Sequence, residues 1–413
     1  MMLRSLAPFP SMGRAPGSGA AGWLALSAIG LMLGACAGTM QSSTPPPPPA
    51  PAVAVATPRP EPAPRVTATG KLKVALLLPL SGRARDIGTS MLEAAEMAIF
   101  DGAGRDIAIM PVDSGDTPDR AVAAVERAAL NGAVILLGPL FGPATAAAAP
   151  AARDANLEMV SFSNDEGVAQ PGVYPMGLGV QTQVRRVADY ALAQGIRRFA
   201  VFAPATAYGD QATLALRDAV TTRGGSVVAA ERFNFSGGNL TGSAGRVTQA
   251  AGAEGRTAVL LPVAGPPLAA ATQALEATSP DARKAQYIGT GIWDTPTIAV
   301  DGNLDGAWFA APDPSRRADF ERKYTAVHGK APHRLATLAY DAVNMAAKLA
   351  RTRPGGDFTA AALNDPEGFR GLDGLFRFRS DGRVERALAV LEIGKDQVRV
   401  IDPAPSSLDR PTN

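Results

Sequence analysis

Two α/β lobes, each built on a parallel central sheet, are the fold class that the sequence predicts. Short apolar segments recur along the chain with amphipathic helical segments between them, the pattern of right-handed βαβ units. About nine such strand segments occur before residue 311, more than one compact sheet of ordinary size takes. The alternation starts afresh after residue 180, so two similar lobes is the economical arrangement.

The first strand is predicted at Lys71 to Leu78, a continuous apolar run expected where both faces of a strand are covered. Pro79-Leu80-Ser81-Gly82 ends it, and a helix follows to about Asp101 with Leu92, Ala95 and Ile99 on one face. Ile107 to Val112 is the second strand. Thr117-Pro118 opens a helix as N-cap and N1 proline, and Asn131-Gly132 stops it. Val134 to Leu137 is broken by Gly138-Pro139, and a fourth strand runs near Leu157 to Phe162. In the second half, the stripe Val184, Val187, Ala188, Ala191, Leu192 marks a helix. Strands follow at Phe199 to Phe202, Ser226 to Arg232 and Ala258 to Leu261, with helices at Gly209 to Arg223 and Leu268 to Ala277. Tyr287 to Gly289 and Ala307 to Ala310 are shorter strands, and Leu335 to Leu349 carries a clear helical stripe. The end of the chain changes character. Leu375 to Phe378, Arg386 to Ile393 and Gln397 to Ile401, separated by Asp381-Gly382 and Gly394-Lys395, read as antiparallel strands with tight turns.

The N-terminus reads as a processing signal. Arg4 and Arg14 precede an apolar run from Trp23 to Leu33, too short to span a membrane and about as long as a signal-peptide core. It ends in Leu33-Gly34-Ala35-Cys36, which resembles a bacterial lipobox. The resemblance implies that Cys36, the chain's single cysteine, receives a lipid and becomes the first residue of the mature protein. An ordinary secretory signal with an incidental cysteine is the plainer alternative. Ala37 and Gly38, with no aspartate, imply an outer-membrane destination facing the periplasm, by the same resemblance. From Pro45 to Pro64 about half the residues are proline, which excludes helix and central strand. Extended at about 3.1 Å per residue, the stretch from Cys36 to Gly70 reaches on the order of 100 Å. It serves as a stiff tether, a plain linker or a proline-rich ligand.

Composition narrows the function. The net charge is +2 with no basic stripe, which argues against a nucleic-acid partner. The two histidines, His328 and His333, are spaced so that one helical face does not hold both, and no metal or other cofactor is expected. No nucleophile elbow, phosphate loop or dinucleotide fingerprint is present, so the chain is read as a non-enzyme. Asp113 and Asp116 stand where an acid/base pair is conceivable, but acids at a strand-to-helix turn more often fix the loop.

The motifs Pro79-Leu80-Ser81-Gly82, Gly138-Pro139-Leu140 and Tyr208-Gly209-Asp210, with the hairpin from Phe376 to Glu392, resemble the type 1 periplasmic-binding, leucine-binding-protein-like family. That resemblance implies two Rossmann-like lobes around a cleft, joined by three crossings near Gln181, Ala311 and Leu372. It divides the chain into a signal peptide (1–35), an anchor and proline-rich linker (36–70), a body (71–403) and a tail (404–413). Lobe 1 takes about 71–181 and 312–372, and lobe 2 about 182–311 and 373–403. Ser161-Phe162-Ser163-Asn164-Asp165 and Thr290-Gly291-Ile292-Trp293-Asp294 further resemble the penicillin-binding-protein activator lipoproteins of that family, which act on peptidoglycan synthases. The proline-rich stretch stands where large activators carry a helical-repeat domain.

The resemblance places the cleft at Ser81, Leu140, Ser163, Asn164, Tyr208 and Trp293, just past the carboxyl ends of strands. Local turn bonding for Ser163 and Asn164, and core packing for Trp293, are the plainer alternatives. Amino-acid receptors hold the ligand carboxylate with a serine where this chain has Gly142, and the acid that meets the ammonium is missing near Trp293. A buried zwitterion needs both ends paired. Free amino acids are therefore expected to bind no tighter than about 10 μM. Two readings follow: a regulator of a peptidoglycan synthase, or the solute receptor of an amino-acid transporter, with an amino acid or muropeptide as small ligand.

Overall fold

The run LKVALLL forms β1 (Leu72–Leu78), and six of its seven side chains are buried, Lys73 being partly exposed. The computed structural model describes residues 63–234, 238–252, 255–279, 284–295, 297–298 and 304–408. Cys36, the apolar leader and the proline-rich stretch up to Pro62 lie outside these described residues. β1 is flanked by β2 (Ile107–Asp113) and β3 (Ile135–Leu137), and the sheet continues through β4 (Met159–Ser161) to β5 (Val173–Pro175). All its pairings are parallel, in the order β2-β1-β3-β4-β5. The crossovers are α1 (Arg85–Phe100), α2 (Pro118–Leu130) and α3 (Gly142–Asp154). Parallel strands need such helices on both faces, and Ala121, Ala124, Val125 and Ala128 of α2 close one of them.

The second lobe repeats the design. It opens with α4 (Val180–Ala193) and runs β6 (Arg198–Pro204), α5 (Ala207–Thr221), β7 (Ser226–Phe233), α6 (Leu240–Gly252), β8 (Thr257–Leu260), α7 (Pro266–Thr278), β9 (Gln286–Thr290) and β10 (Trp308–Ala311). Its parallel strands lie in the order β7-β6-β8-β9-β10, the same winding as the first sheet. After β10 the chain returns to the first lobe with α8 (Ser315–His328), α9 (Ala336–Ala350) and α10 (Ala360–Leu363). α9 is buried along nearly its whole length against α1, and Leu338, Ala342 and Met345 join the core of the first sheet.

A three-stranded antiparallel sheet follows, made of β11 (Phe369–Gly371), β12 (Gly374–Phe378) and β13 (Val384–Arg386). Phe369, Phe376 and Phe378 pack into the first lobe's core. The chain then crosses, and β14 (Ala389–Ile393) and β15 (Val398–Asp402) extend the second sheet antiparallel to β10. The third crossing therefore lies at Ala387–Leu388 and not near Leu372. The single strand expected over Arg386 to Ile393 is divided at that point, because Arg386 belongs to one sheet and Ala389 to the other. The first two crossings lie between β5 and α4 and between β10 and α8.

Four helices are not among those the sequence predicts: α3, α6, α8 and the single turn α10. α3 is nearly all small residues with Pro150 inside it, and α6 likewise lacks large apolar side chains at helical spacing. α8 is polar on most of its surface and buries little beyond Arg317, Phe320 and Tyr324.

Candidate ligand cleft

Both parallel sheets reverse their strand order beside the central strand, and open α/β sheets bind ligands outside the carboxyl ends of strands at such points. On the first lobe this brings together the loop after β1, the loop after β3 and the loop from Phe162 to Gly172.

The loop after β1 is built as a rigid turn. Asp113 Oδ1 accepts the Leu80 N–H at 3.0 Å and the Gly115 N–H at 2.9 Å, while Arg120 pairs with Oδ2 at 2.6 Å. Burial alone would raise the Asp113 carboxyl, but these bonds and the adjacent Ser81 hydroxyl hold it below the usual carboxylate range. Asp116 Oδ2 lies 2.7 Å from where a Cβ on Gly82 would stand, and Gly82 has φ +78°. Asp113 and Asp116 thus fix a loop, and Ser81 is turned toward Asp113.

Leu140 is 6% exposed and packs into the first lobe's core, so its side chain does not line a cleft. Ser163 is buried; its hydroxyl accepts the Asp165 N–H at 3.0 Å and its carbonyl accepts the Gly177 N–H. This is the local turn bonding open to any serine there. Asn164 is exposed.

The side chains that reach toward the second lobe are the two that follow. Asp165 Oδ1 accepts from Gly167 N–H at 3.0 Å and from Gln211 Nε2 of α5 at 3.4 Å. Its Oδ2 lies 2.9 Å from where a Cβ on Gly142 would stand, against the first residue of α3. Phe141, the N-cap of that helix, offers no side-chain acceptor, so the carboxylate faces the positive end of an uncapped helix. Glu166 accepts the Gln181 N–H at 3.1 Å and the Thr182 hydroxyl at 2.9 Å at the start of α4. Burial pushes its carboxyl above the usual range, against those bonds.

On the second lobe Tyr208, in the first turn of α5, bonds Thr290 Oγ1 at 2.8 Å. Burial pushes its phenol up to about 12, so it is a neutral hydrogen-bonding group. Gln183 accepts the Gly291 N–H and donates to the Leu178 carbonyl. Trp293 is fully buried among the second lobe's core residues, with Nε1 donating to the Val263 carbonyl at 2.7 Å. Gly289 makes this possible, since a Cβ there would stand 2.4 Å from the indole. Trp293 is thus a core residue in this structure. Asp165, Glu166, Gln183, Gln211 and Thr290 were not among the cleft residues chosen from the sequence, although Asp165 and Thr290 lie in quoted motifs, because a polar residue in a loop or first helical turn carries no mark of what it will face.

Asp294 is fully committed. It pairs with Arg317 and, at 2.9 Å, with Arg334, both belonging to the first lobe. Arg334 also holds the buried Asp373 at 2.9 Å, and Thr337 donates to Asp373 at 2.7 Å. Asp341 accepts the Leu372 and Asp373 N–H groups beside them. Among the described residues no group of three or more histidine, cysteine or acidic side chains is placed to hold a metal, and no helix is long and apolar enough to cross a membrane.

A family model for periplasmic binding proteins matches residues 71–397. A solved structure of a putative branched-chain amino acid ABC transporter protein from Rhodospirillum rubrum is 22% identical over 80% of this chain and 100% of its own, with a TM-score of 0.70. A leucine-binding protein of Thermotoga maritima is 20% identical over 81% and 99%, with a TM-score of 0.59. A branched-chain amino acid substrate-binding protein of Streptococcus pneumoniae, solved with isoleucine, is 16% identical over 81% and 100%, with a TM-score of 0.58. At these identities the likeness is one of fold. None of the curated proteins matches the chain.

Proposed function

The chain belongs to the periplasmic binding protein family, and we propose that it acts in the periplasm as a non-catalytic receptor for a small polar ligand held between its lobes. Its role is that of the solute-binding component of an ABC-type transporter. The observation that carries this reading is the meeting of Asp165 and Gln211 across the junction, beside Tyr208 and Thr290. Polar groups from both lobes converge where open α/β sheets take ligands. Similarity of fold to branched-chain amino acid binding proteins, over 80–81% of this chain, supports it. The lipobox at Cys36 would tether the body to a membrane, the outer one by its flanking residues.

A second reading is favoured by one specific observation. The Asp165 carboxylate stands against Gly142, where the resemblance puts the ligand carboxylate of amino-acid receptors. A like charge there disfavours a free amino acid. With the proline-rich tether and the activator-like motifs, this supports a regulator of a peptidoglycan synthase, which uses the same body as a docking or muropeptide-binding module.

Isothermal titration decides between them. The full-length protein, purified in detergent and stripped of solutes by unfolding and refolding, is titrated with a panel of amino acids and with muropeptides. Sub-micromolar binding of a free amino acid, weakened by Tyr208→Ala, supports the transport receptor. Silence across the amino acids, with retention of a penicillin-binding protein from envelope extract, supports the regulator and removes the transport role.

A further inference from the structure

Beside the first crossing, a cavity of about 520 Å³ opens between α4 and β13, away from Tyr208 and Gln211. Its walls carry five arginines, Arg185, Arg186, Arg379, Arg383 and Arg386. Three carboxylates share the lining, and each is already engaged. Asp189 pairs with Arg223. Glu385 pairs with Arg377 and, at 2.8 Å, with Arg379. Glu166 takes its two bonds from the start of α4.

The arginines are not all engaged in return. Arg185 is exposed on α4 and forms no hydrogen bond or ion pair among the described residues. Arg386 is 8% exposed and lies over the Phe376 ring, 5.0 Å from its centroid. Its two Nη groups donate to backbone carbonyls, Asp373 at 3.1 Å and Met176 at 2.8 Å, and it forms no ion pair among the described residues. Its Nε–H is buried without a partner. A buried guanidinium with no ion pair adds positive charge to the wall of the cavity, which an anion there would offset. The planar fork of Arg185, with its donors unused, suits the oxygens of phosphate and carboxylate groups.

We propose that this cavity is an anion-binding site, separate from the interlobe cleft, for a small ligand with two or more negative charges of the phosphate-ester or polycarboxylate kind. Arg386 supplies buried positive charge and Arg185 the exposed contact. The walls come from α4 of the second lobe and from β5 and β13 of the first, so a bound anion bridges the two lobes next to their crossings.

The test is isothermal titration of the full-length protein in detergent with inorganic pyrophosphate, and separately with citrate. Saturable one-to-one binding of either probe is expected, pyrophosphate pointing to phosphate esters and citrate to polycarboxylates. Arg185→Glu, an exposed change that spares the fold, should weaken it by about tenfold or more. Arg322→Ala removes an exposed arginine of α8 outside the cavity and should leave the affinity within about twofold. Absence of saturable binding for both probes overturns the proposal, as does equal affinity in the wild type and Arg185→Glu. Neither result bears on amino acid binding in the cleft, which is read with different ligands and variants.

Discussion

At one end of the lobe junction, Asp294 and Asp373 are each held by Arg334 at 2.9 Å, and Arg317 closes on Asp294 from the same side. At the other end, Gln211 reaches Asp165 at 3.4 Å, near the outer limit of a hydrogen bond. The first contact is a network of buried charges, which is strongly destabilised when one member is removed. The second is a single weak bond between partly exposed side chains. Opening the lobes about the charged end breaks little, whereas opening them about the cleft end would strand Asp294 and Asp373. The contrast predicts that the lobes pivot about the Arg334 network and part at Asp165 and Gln211.

Arg334→Ala should have the largest effect, because it leaves Asp373 buried and Asp294 with one partner. A loss of about 3–5 kcal/mol in urea unfolding is expected; a loss below about 1 kcal/mol would place the hinge elsewhere. Trp293→Ala should cost about 3–5 kcal/mol as well, through the cavity it leaves in the second lobe. Both changes lower stability, but only the first should also alter the lobe angle measured by small-angle scattering. If Trp293→Ala shifts that angle equally, the charged network is not a distinct hinge.

The same network carries a pH dependence. Burial, with the Asp373 charge beside it, pushes the Asp341 carboxyl up to about 7. The folded chain therefore holds a proton that the unfolded chain releases above its ordinary value of 3.8. Asp341's contribution to stability is fully present below that value and is lost as pH rises through about 7. Asp373 runs the other way. Burial alone would raise its carboxyl, but Arg334 and Arg386 hold it low, so its contribution is lost only in acid. Melting temperatures should fall between pH 5 and pH 7.5 in the wild type, because the folded chain keeps a proton that the unfolded chain has released, and fall less in Asp341→Asn. Parallel pH profiles for the two proteins would contradict this.

How far the sequence carries depends on which side of this comparison is asked about. β1 and the helical stripes at Val184 to Leu192 and Leu335 to Leu349 were legible because burial of apolar side chains leaves a period in the sequence. Arg334 and Asp373 lie far apart in the chain and meet only through the fold, and no local pattern announces a buried ion pair. The third crossing was misplaced for a similar reason. Leu375 to Phe378 alternates as any hairpin does, and whether its phenylalanines face one core or the other is decided by long-range packing. Among the site residues, Tyr208, Leu140 and Trp293 were all chosen for their place in motifs; the fold sets Tyr208 against Thr290, while Leu140 and Trp293 serve the two cores. Asp165 sits within a quoted motif, yet its contact with Gly142 depends on two loops that only the fold brings together.

The smallest expected effect is the most informative about the mouth. Asp165 places a negative charge against the first residue of an uncapped helix, the position from which a ligand carboxylate would otherwise draw its donors. Two like charges about 4 Å apart at an effective dielectric of 20 repel by up to about 4 kcal/mol, and solvent at a partly open cleft reduces this. Asp165→Asn keeps an oxygen to accept the Gly167 N–H and removes the charge. Leucine or isoleucine should then bind about tenfold more tightly than to the wild type, a gain of about 1.4 kcal/mol, as read by isothermal titration. The opposite result, weaker binding in Asp165→Asn, would mean that this carboxylate receives the ligand's ammonium group. The amino acid would then lie reversed in the cleft, with its carboxylate toward Gln211 and Tyr208 of the second lobe.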